Sequence, residues 1–168
     1  MSADHAVTVR PGTATDIEEG LTTLSAAEAR RIGRASGDEA SRDRMRRRLA
    51  GPDTFFFVAE HATGGPIGLA AGMNGRRDGG TGPAIPGLCH ITMVAVRPER
   101  WGEGVGGRLL RAVLSHGRAL GYDRFQLFTH ADNVRAQRLY ESAGFRLTGG
   151  TAVSDDGGSI VHYLWAPE

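Results

Sequence analysis

The spacing of apolar residues changes repeatedly along this chain, and each change marks an element. Ala6–Arg10 alternates around Val7 and Val9 and predicts a first strand ending at Pro11. Thr15-Asp16-Ile17-Glu18 reads as a capping box, and Ile17, Leu21 and Leu24 follow at helical spacing, so a first helix starts near Asp16. A break at Ser36-Gly37 precedes a second helical run with Met45 and Leu49 on one side, which Gly51-Pro52 stops. Thr54–Glu60 predicts a strand buried largely on both faces, His61–Pro66 a turn, and Ile67–Met73 the partner strand of a hairpin. The segment from Gly75 to Gly87, with Pro83 and Pro86 among its glycines, predicts a flexible connection. His90–Val96, carrying β-branched Ile91, Thr92, Val94 and Val96, predicts a buried strand that Pro98 ends. Val105, Leu109, Val113, His116 and Leu120 then recur at helical spacing. A strand from Phe125 and a short helix with Ala136, Leu139, Tyr140 and Ala143 on one face follow, closed by Gly144 at its C-terminus. Phe145–Val153 and Ser159–Trp165 predict a last hairpin around Ser154-Asp155-Asp156-Gly157-Gly158. The order is strand, two helices, three strands, helix, strand, helix, two strands.

Composition narrows the class. With 168 residues and 40% hydrophobic content the chain is expected to form one domain over residues 1–168, without internal repeats. A net charge of +1 carries no signature of a nucleic-acid or membrane partner. The single cysteine, Cys89, can form no internal disulfide, and it reads as a small buried hydrophobe rather than an acyl carrier. No apolar stretch resembles a signal peptide or is long enough to cross a bilayer, so a cytoplasmic location is expected. No His, Cys or carboxylate spacing suggests a metal. The arginines of the second helix, Arg42, Arg44, Arg46, Arg47 and Arg48, read first as a solvated face, and second as a contact for an acidic substrate or a phosphate tail.

The candidate chemistry begins where the strand at His90–Val96 meets Gly102, Gly104, Gly106 and Gly107 and then a helix. Glycines let a backbone turn sharply and approach a ligand, and the first N–H groups of a helix have no intrahelical acceptor, so this order builds an anion site. A tight turn without a ligand would use the same residues. A nucleotide P-loop is excluded because the chain contains no lysine, and Gly102-Glu103-Gly104-Val105-Gly106-Gly107 fits only part of the dinucleotide fingerprint. Val96-Arg97-Pro98 followed by Gly104-Val105-Gly106 resembles the pyrophosphate loop of the GNAT superfamily of N-acetyltransferases. A second block, Asn133-x-x-Ala136-x-x-Leu139-Tyr140-Glu141-x-x-Gly144-Phe145, is similar to the second motif of that family. The resemblance covers roughly Leu88 to Phe145; the N-terminal half matches in element order alone.

That resemblance implies an α/β (α+β) GNAT fold, a mixed central sheet of about seven strands with about four helices, in which two parallel strands splay to form the cofactor cleft. It implies acetyl-CoA as cosubstrate, with no metal. Backbone groups of Val94 and Val96 would pair with the pantetheine amides, and N–H groups across Trp101, Gly102, Gly104, Val105, Gly106, Gly107 and Arg108 would hold the pyrophosphate. The family usually has Gln or Arg where this chain has Trp101, which puts a side-chain bond to phosphate in doubt. Glu103, a carboxylate beside an anion site, is expected to point outward. Tyr140 matches the tyrosine that protonates the departing thiolate, although a core tyrosine fits the same apolar face. Asn133 caps the same helix and would fix the splay through strand carbonyls, with a cofactor bond as the weaker reading.

An amine acceptor must also lose a proton before it attacks. His90 stands where many family members place a Glu and shares a strand face with Thr92, Val94 and Val96, so it is a candidate base; a structural histidine fits equally, and His130 is the second candidate. These features together imply an acetyl-CoA dependent N-acetyltransferase working by direct transfer in a ternary complex. The acceptor would be a primary amine, a small molecule ahead of a protein N-terminus. The rival is a non-catalytic CoA-binding or sensing module with the same fold. The family's habit of pairing implies a homodimer.

Overall fold

A computed structural model describes residues 6–154 and 157–167. The chain runs β1 (Val7–Pro11), α1 (Ile17–Ile32), α2 (Glu39–Leu49), β2 (Phe55–His61), β3 (Gly65–Arg76), β4 (Ala84–Val96), α3 (Val105–Ala119), β5 (Arg124–His130), α4 (Val134–Ser142), β6 (Arg146–Val153) and β7 (Ser159–Trp165). This is the predicted element order. The strands hydrogen-bond in the order β1-β2-β3-β4-β5-β7-β6, with β4 and β5 parallel, so the sheet is mixed. Contacts divide the chain into two compact units, Met1–Gly72 with Met93–Val113, and Met73–Thr92 with Leu114–Glu168. Among the described residues no helix is long and apolar enough to cross a membrane.

In the first unit, Ile17 and Leu21 of α1 and Leu49 of α2 pack on Phe56, Val58, Leu69, Met93 and Ala95 of the strands. The entry to α1 differs from the predicted capping box. The box lies two residues earlier, where the Thr13 N–H donates to Asp16 Oδ2 (2.8 Å) and a short 3-10 turn, Ala14–Asp16, leads into the helix. Asp16 also anchors the end of β1, because Arg10 donates to both its oxygens at 2.9 Å and, through Nε, to Glu60 at 3.0 Å. Asp38 caps α2 by accepting from the Ser41 N–H (2.8 Å). Of the arginines on α2, Arg42 and Arg46 reach back to Glu18 on α1, so these two are spent on helix pairing.

In the second unit, the two ends of the predicted flexible connection are sheet and only its middle, residues 77–83, is a connection. β3 runs on to Arg76 and β4 begins at Ala84, leaving a short turn closed by the Arg77 N–H on the Pro83 carbonyl (3.0 Å). Two of its glycines serve the strands, since a Cβ on Gly75 would lie 2.6 Å from Leu88 Cγ and Gly87 bends β4 at φ 79°, while Gly79, Gly80 and Gly82 lie in the turn. Pro86 is tolerated because it precedes Leu88, where pairing with β5 begins. Phe125, Leu127, Phe145 and Tyr163 form the buried centre. The parallel register joins Leu88, Cys89 and His90 to Arg124, Phe125 and Gln126, after which β5 continues to His130 against β7. So short a parallel pairing is what splayed strands require. The predicted turn of the final hairpin includes Asp155 and Asp156, which lie outside the described residues. α3 ends at Ala119, so Leu120 stands 58% exposed, and His116 is exposed too; the buried stripe is Val105, Leu109, Leu110 and Val113.

Candidate functional site

In the first unit the glycine loop is held by hydrogen bonds at its near end. The Arg97 N–H donates to the Ile67 carbonyl (2.8 Å), and a 3-10 turn at Pro98–Arg100 carries the chain off the sheet. The Trp101 indole N–H then donates to the Val96 carbonyl (2.8 Å), turning the loop back on the strand end. Gly102 and Gly104 take φ of 85° and 81°, a region where a side chain would be strained. Past them the Arg108 N–H donates to the Gly104 carbonyl (3.2 Å) and closes the first turn of α3. Val105, Gly106 and Gly107 therefore present the N–H groups that have no intrahelical acceptor. The positive end of the helix dipole adds to them, so this turn suits a phosphate.

The side chains around the loop leave that role to the backbone. The Arg108 guanidinium donates to the Val7 carbonyl (2.9 Å), and exposed Glu103 is engaged by Arg100 (3.4 Å). Val94 is half-buried and Val96 buried. Gly68 of β3 completes the support, because a Cβ there would lie 3.0 Å from the Ala95 carbonyl oxygen and from Leu109 Cδ1. The structural use of Trp101 had one signal in the sequence: an indole N–H is a donor only and seeks an acceptor.

In the second unit, Asn133 accepts from the Ala136 N–H (3.2 Å) and caps α4. The carbonyls at the end of β5 are held by Gln137, whose amide donates to His130 (3.1 Å) and Ala131 (2.9 Å). Tyr140 is 7% exposed and packs its ring against Phe145 and Tyr163, each with centroids 6.1 Å away. Burial pushes its phenol up to about 12, partly offset by Arg135. The phenol is thus kept protonated. Buried Cys89 shows the same physics, its thiol pushed up to about 12 by burial.

His90 is half-buried, and the structure places it in a row of polar side chains that runs across four strands. Its Nδ1 lies 3.5 Å from Gln126 Nε2, Gln126 Oε1 lies 2.9 Å from His162 Nε2, and His162 Nδ1 lies 2.7 Å from Thr148 Oγ1. Phe128 covers the row, with ring centroids 4.8 Å from His162 and 6.2 Å from His90. Burial holds His162 below the ordinary imidazole range. His130, the other candidate, sits at the end of β5. The sequence singled out neither Gln126 nor His162, because their partnership depends on β7 lying between β5 and β6.

Residues 22–145 match the profile of the Acetyltransferase (GNAT) family. A mycothiol acetyltransferase of Acidothermus cellulolyticus is 30% identical over 90% of this chain and 47% of its own length. One from Thermobispora bispora is 37% identical over 54% of this chain and 29% of its own length. The chain thus spans less than half the length of these curated relatives. The structure of a GCN5-related N-acetyltransferase from Kribbella flavida superposes with a TM-score of 0.74 over 98% of this chain and 100% of that one, at 21% identity, and so shares the fold. On the match across most of its length, the chain belongs to the GNAT acetyltransferase family.

Proposed function

We propose that the protein transfers an acetyl group from acetyl-CoA to the primary amine of a small molecule, by direct attack within a ternary complex. The observation that carries this reading is the first turn of α3, where glycines with positive φ lead to N–H groups that the helix leaves unbonded. Those of Val105, Gly106 and Gly107 would hold the pyrophosphate, aided by the loop backbone from Trp101 to Gly104, and Val94 and Val96 would pair with the pantetheine amides. A small-molecule acceptor is supported by the name of the relatives, mycothiol acetyltransferase, which sets it ahead of a protein N-terminus.

In the proposed reaction the amine nitrogen bonds to the acetyl carbon, the carbon–sulfur bond breaks, and two protons move. Tyr140 gives its phenolic proton to the sulfur. Its phenol at about 12 is poorly matched to a thiol in water near 8.5, but a sulfur leaving into a dry site is raised in the same way, as Cys89 at about 12 illustrates. Donor and acceptor are then closely balanced, the condition under which general acid catalysis is effective. His90 accepts the proton of the acceptor ammonium, directly or through water. An ammonium with pKa about 10.4 is neutral in only about one molecule in a few thousand at pH 7, so a base has a large population to recover.

Two measurements test the reading in sequence. Acetyl-CoA at about a hundredfold excess over its dissociation constant should stabilise the fold by about 2.7 kcal/mol, seen as a raised Tm, with no rise for NADH or ATP. A panel of primary amines should then release free thiol from acetyl-CoA. An unmoved Tm defeats the cosubstrate assignment; a raised Tm without thiol release across the panel leaves the CoA-binding module standing.

A further inference from the structure

We propose that Gln126 and His162 are positioning residues that set which nitrogen of His90 carries its proton; the inference rests on the reading that His90 receives the proton of the acceptor amine. The row Thr148, His162, Gln126, His90 comes from neighbouring strands β6, β7, β5 and β4, and each link is side chain to side chain at 2.7, 2.9 and 3.5 Å. An imidazole in its neutral form has one N–H and one lone pair, and a carboxamide has one accepting end and one donating end. The state of one member therefore dictates the state of the next.

Through Gln126 the row itself allows two self-consistent arrangements. With Gln126 Oε1 toward His162 and Nε2 toward His90, as found, His162 donates from Nε2 and accepts from Thr148 at Nδ1, and His90 accepts at Nδ1. Neutral His90 then holds its hydrogen on Nε2 and has no lone pair there to receive a proton. Half a turn of the carboxamide inverts every bond. Gln126 Oε1 accepts from His90 Nδ1–H, its amide donates to His162 Nε2, and His162 Nδ1–H donates to the Thr148 hydroxyl. His90 Nε2 then carries the lone pair. The ammonium N–H bond breaks, the His90 Nε2–H bond forms, and the resulting imidazolium is stabilised by its Nδ1–H on the carboxamide oxygen. Only the second arrangement serves the reaction, so the turn of Gln126 converts a resting His90 into a base. His162 makes the second arrangement available because burial keeps it neutral and able to accept.

Among the described residues, Arg124 of β5 and Arg76 of β3 are engaged elsewhere. Arg124 and His130 share the alternating face of β5, Arg124 being engaged by Asp123 and the Pro86 carbonyl. β3 ends in Arg76, which donates to the Gly82 carbonyl. β6 contributes neutral Thr148, and Phe128 covers the row with an apolar ring.

Gln126→Glu replaces the two-ended carboxamide by an acceptor, which fixes His90 with hydrogen on Nδ1. The acidic limb of kcat/KM should move to higher pH by about one unit or more, since an opposite charge favours the imidazolium. His162→Phe keeps the ring but removes the acceptor for the turned amide; kcat/KM should fall about tenfold at neutral pH while the acetyl-CoA rise in Tm is kept. Nitrogen NMR of His90 supplies a readout independent of turnover: its Nδ1–H fraction should rise in Gln126→Glu and fall in His162→Phe relative to wild type. Unchanged tautomer fractions in both variants overturn the inference. If His90→Gln removes the acidic limb but Gln126→Glu leaves it in place, the inference fails while the base assignment survives; if His90→Gln has a wild-type profile, the base assignment itself fails.

Discussion

Tyr140 concentrates the residue-scale argument, because one physical cause gives it both its proposed role and a measurable signature. Burial raises its phenol from 10 to about 12. A group whose pKa is raised by folding contributes stability that is complete below its unfolded value and is lost as pH rises through the folded value. Between about pH 10 and 12 the wild-type Tm should therefore fall, and Tyr140→Phe should flatten part of that decline while its ring still packs on Phe145 and Tyr163. The same substitution should keep acetyl-CoA affinity within a few fold and lower turnover by roughly tenfold to a thousandfold, the usual range for losing a general acid. Steady-state thiol release reads the second effect. Wild-type turnover in Tyr140→Phe would make the tyrosine a packing residue.

At the scale of elements, the glycines divide into those that make the loop and those that make the sheet. Gly104→Val places a β-branched residue at φ 81° immediately before α3, whose first turn is the proposed phosphate site. The acetyl-CoA rise in Tm should disappear, and its retention would show that the turn has no part in binding. Gly75→Val tests the strand end that takes up the start of the predicted connection. A Cβ there already meets Leu88 Cγ at 2.6 Å, so the larger side chain should cost about 1–3 kcal/mol in chemical denaturation. Gly64→Ala, whose new methyl would meet nothing nearer than 3.8 Å, is the control and should change stability by less than about 0.5 kcal/mol. At the start of α1, Asp16→Asn removes the charge that Arg10 holds at 2.9 Å. Arg10 keeps the Asp16 carboxyl down at about 2, and with Asp16 buried the depression is worth roughly 2 kcal/mol, present above the unfolded carboxyl range near 4 and lost as pH falls toward 2. Acid unfolding of the Asn variant should accordingly lack that step.

Across the whole molecule these terms set a pH window. His162, held low by burial, withdraws stability as pH falls below the ordinary imidazole range, and Asp16 does so further down. Cys89 and Tyr140, both raised to about 12, withdraw it on the alkaline side from about pH 9 upward. The Tm should therefore be highest between about pH 7 and 9. Element order and the two motif blocks were legible in the sequence, because periodicity is a local property: Ile17, Leu21 and Leu24 define a helix face whatever the fold, and Gly102 and Gly104 permit a turn wherever it lies. The family follows from the same local information, since the matched region lies within residues 22–145. What the sequence did not contain is register. That β7 lies between β5 and β6, that Gly75 faces Leu88, and that Gln126 links His90 to His162 are each decided by which backbones pair across the sheet. Pairing is a sum of weak contacts between residues far apart in sequence, so no local pattern encodes it, and the polar row beside His90 exists only once the strands have closed.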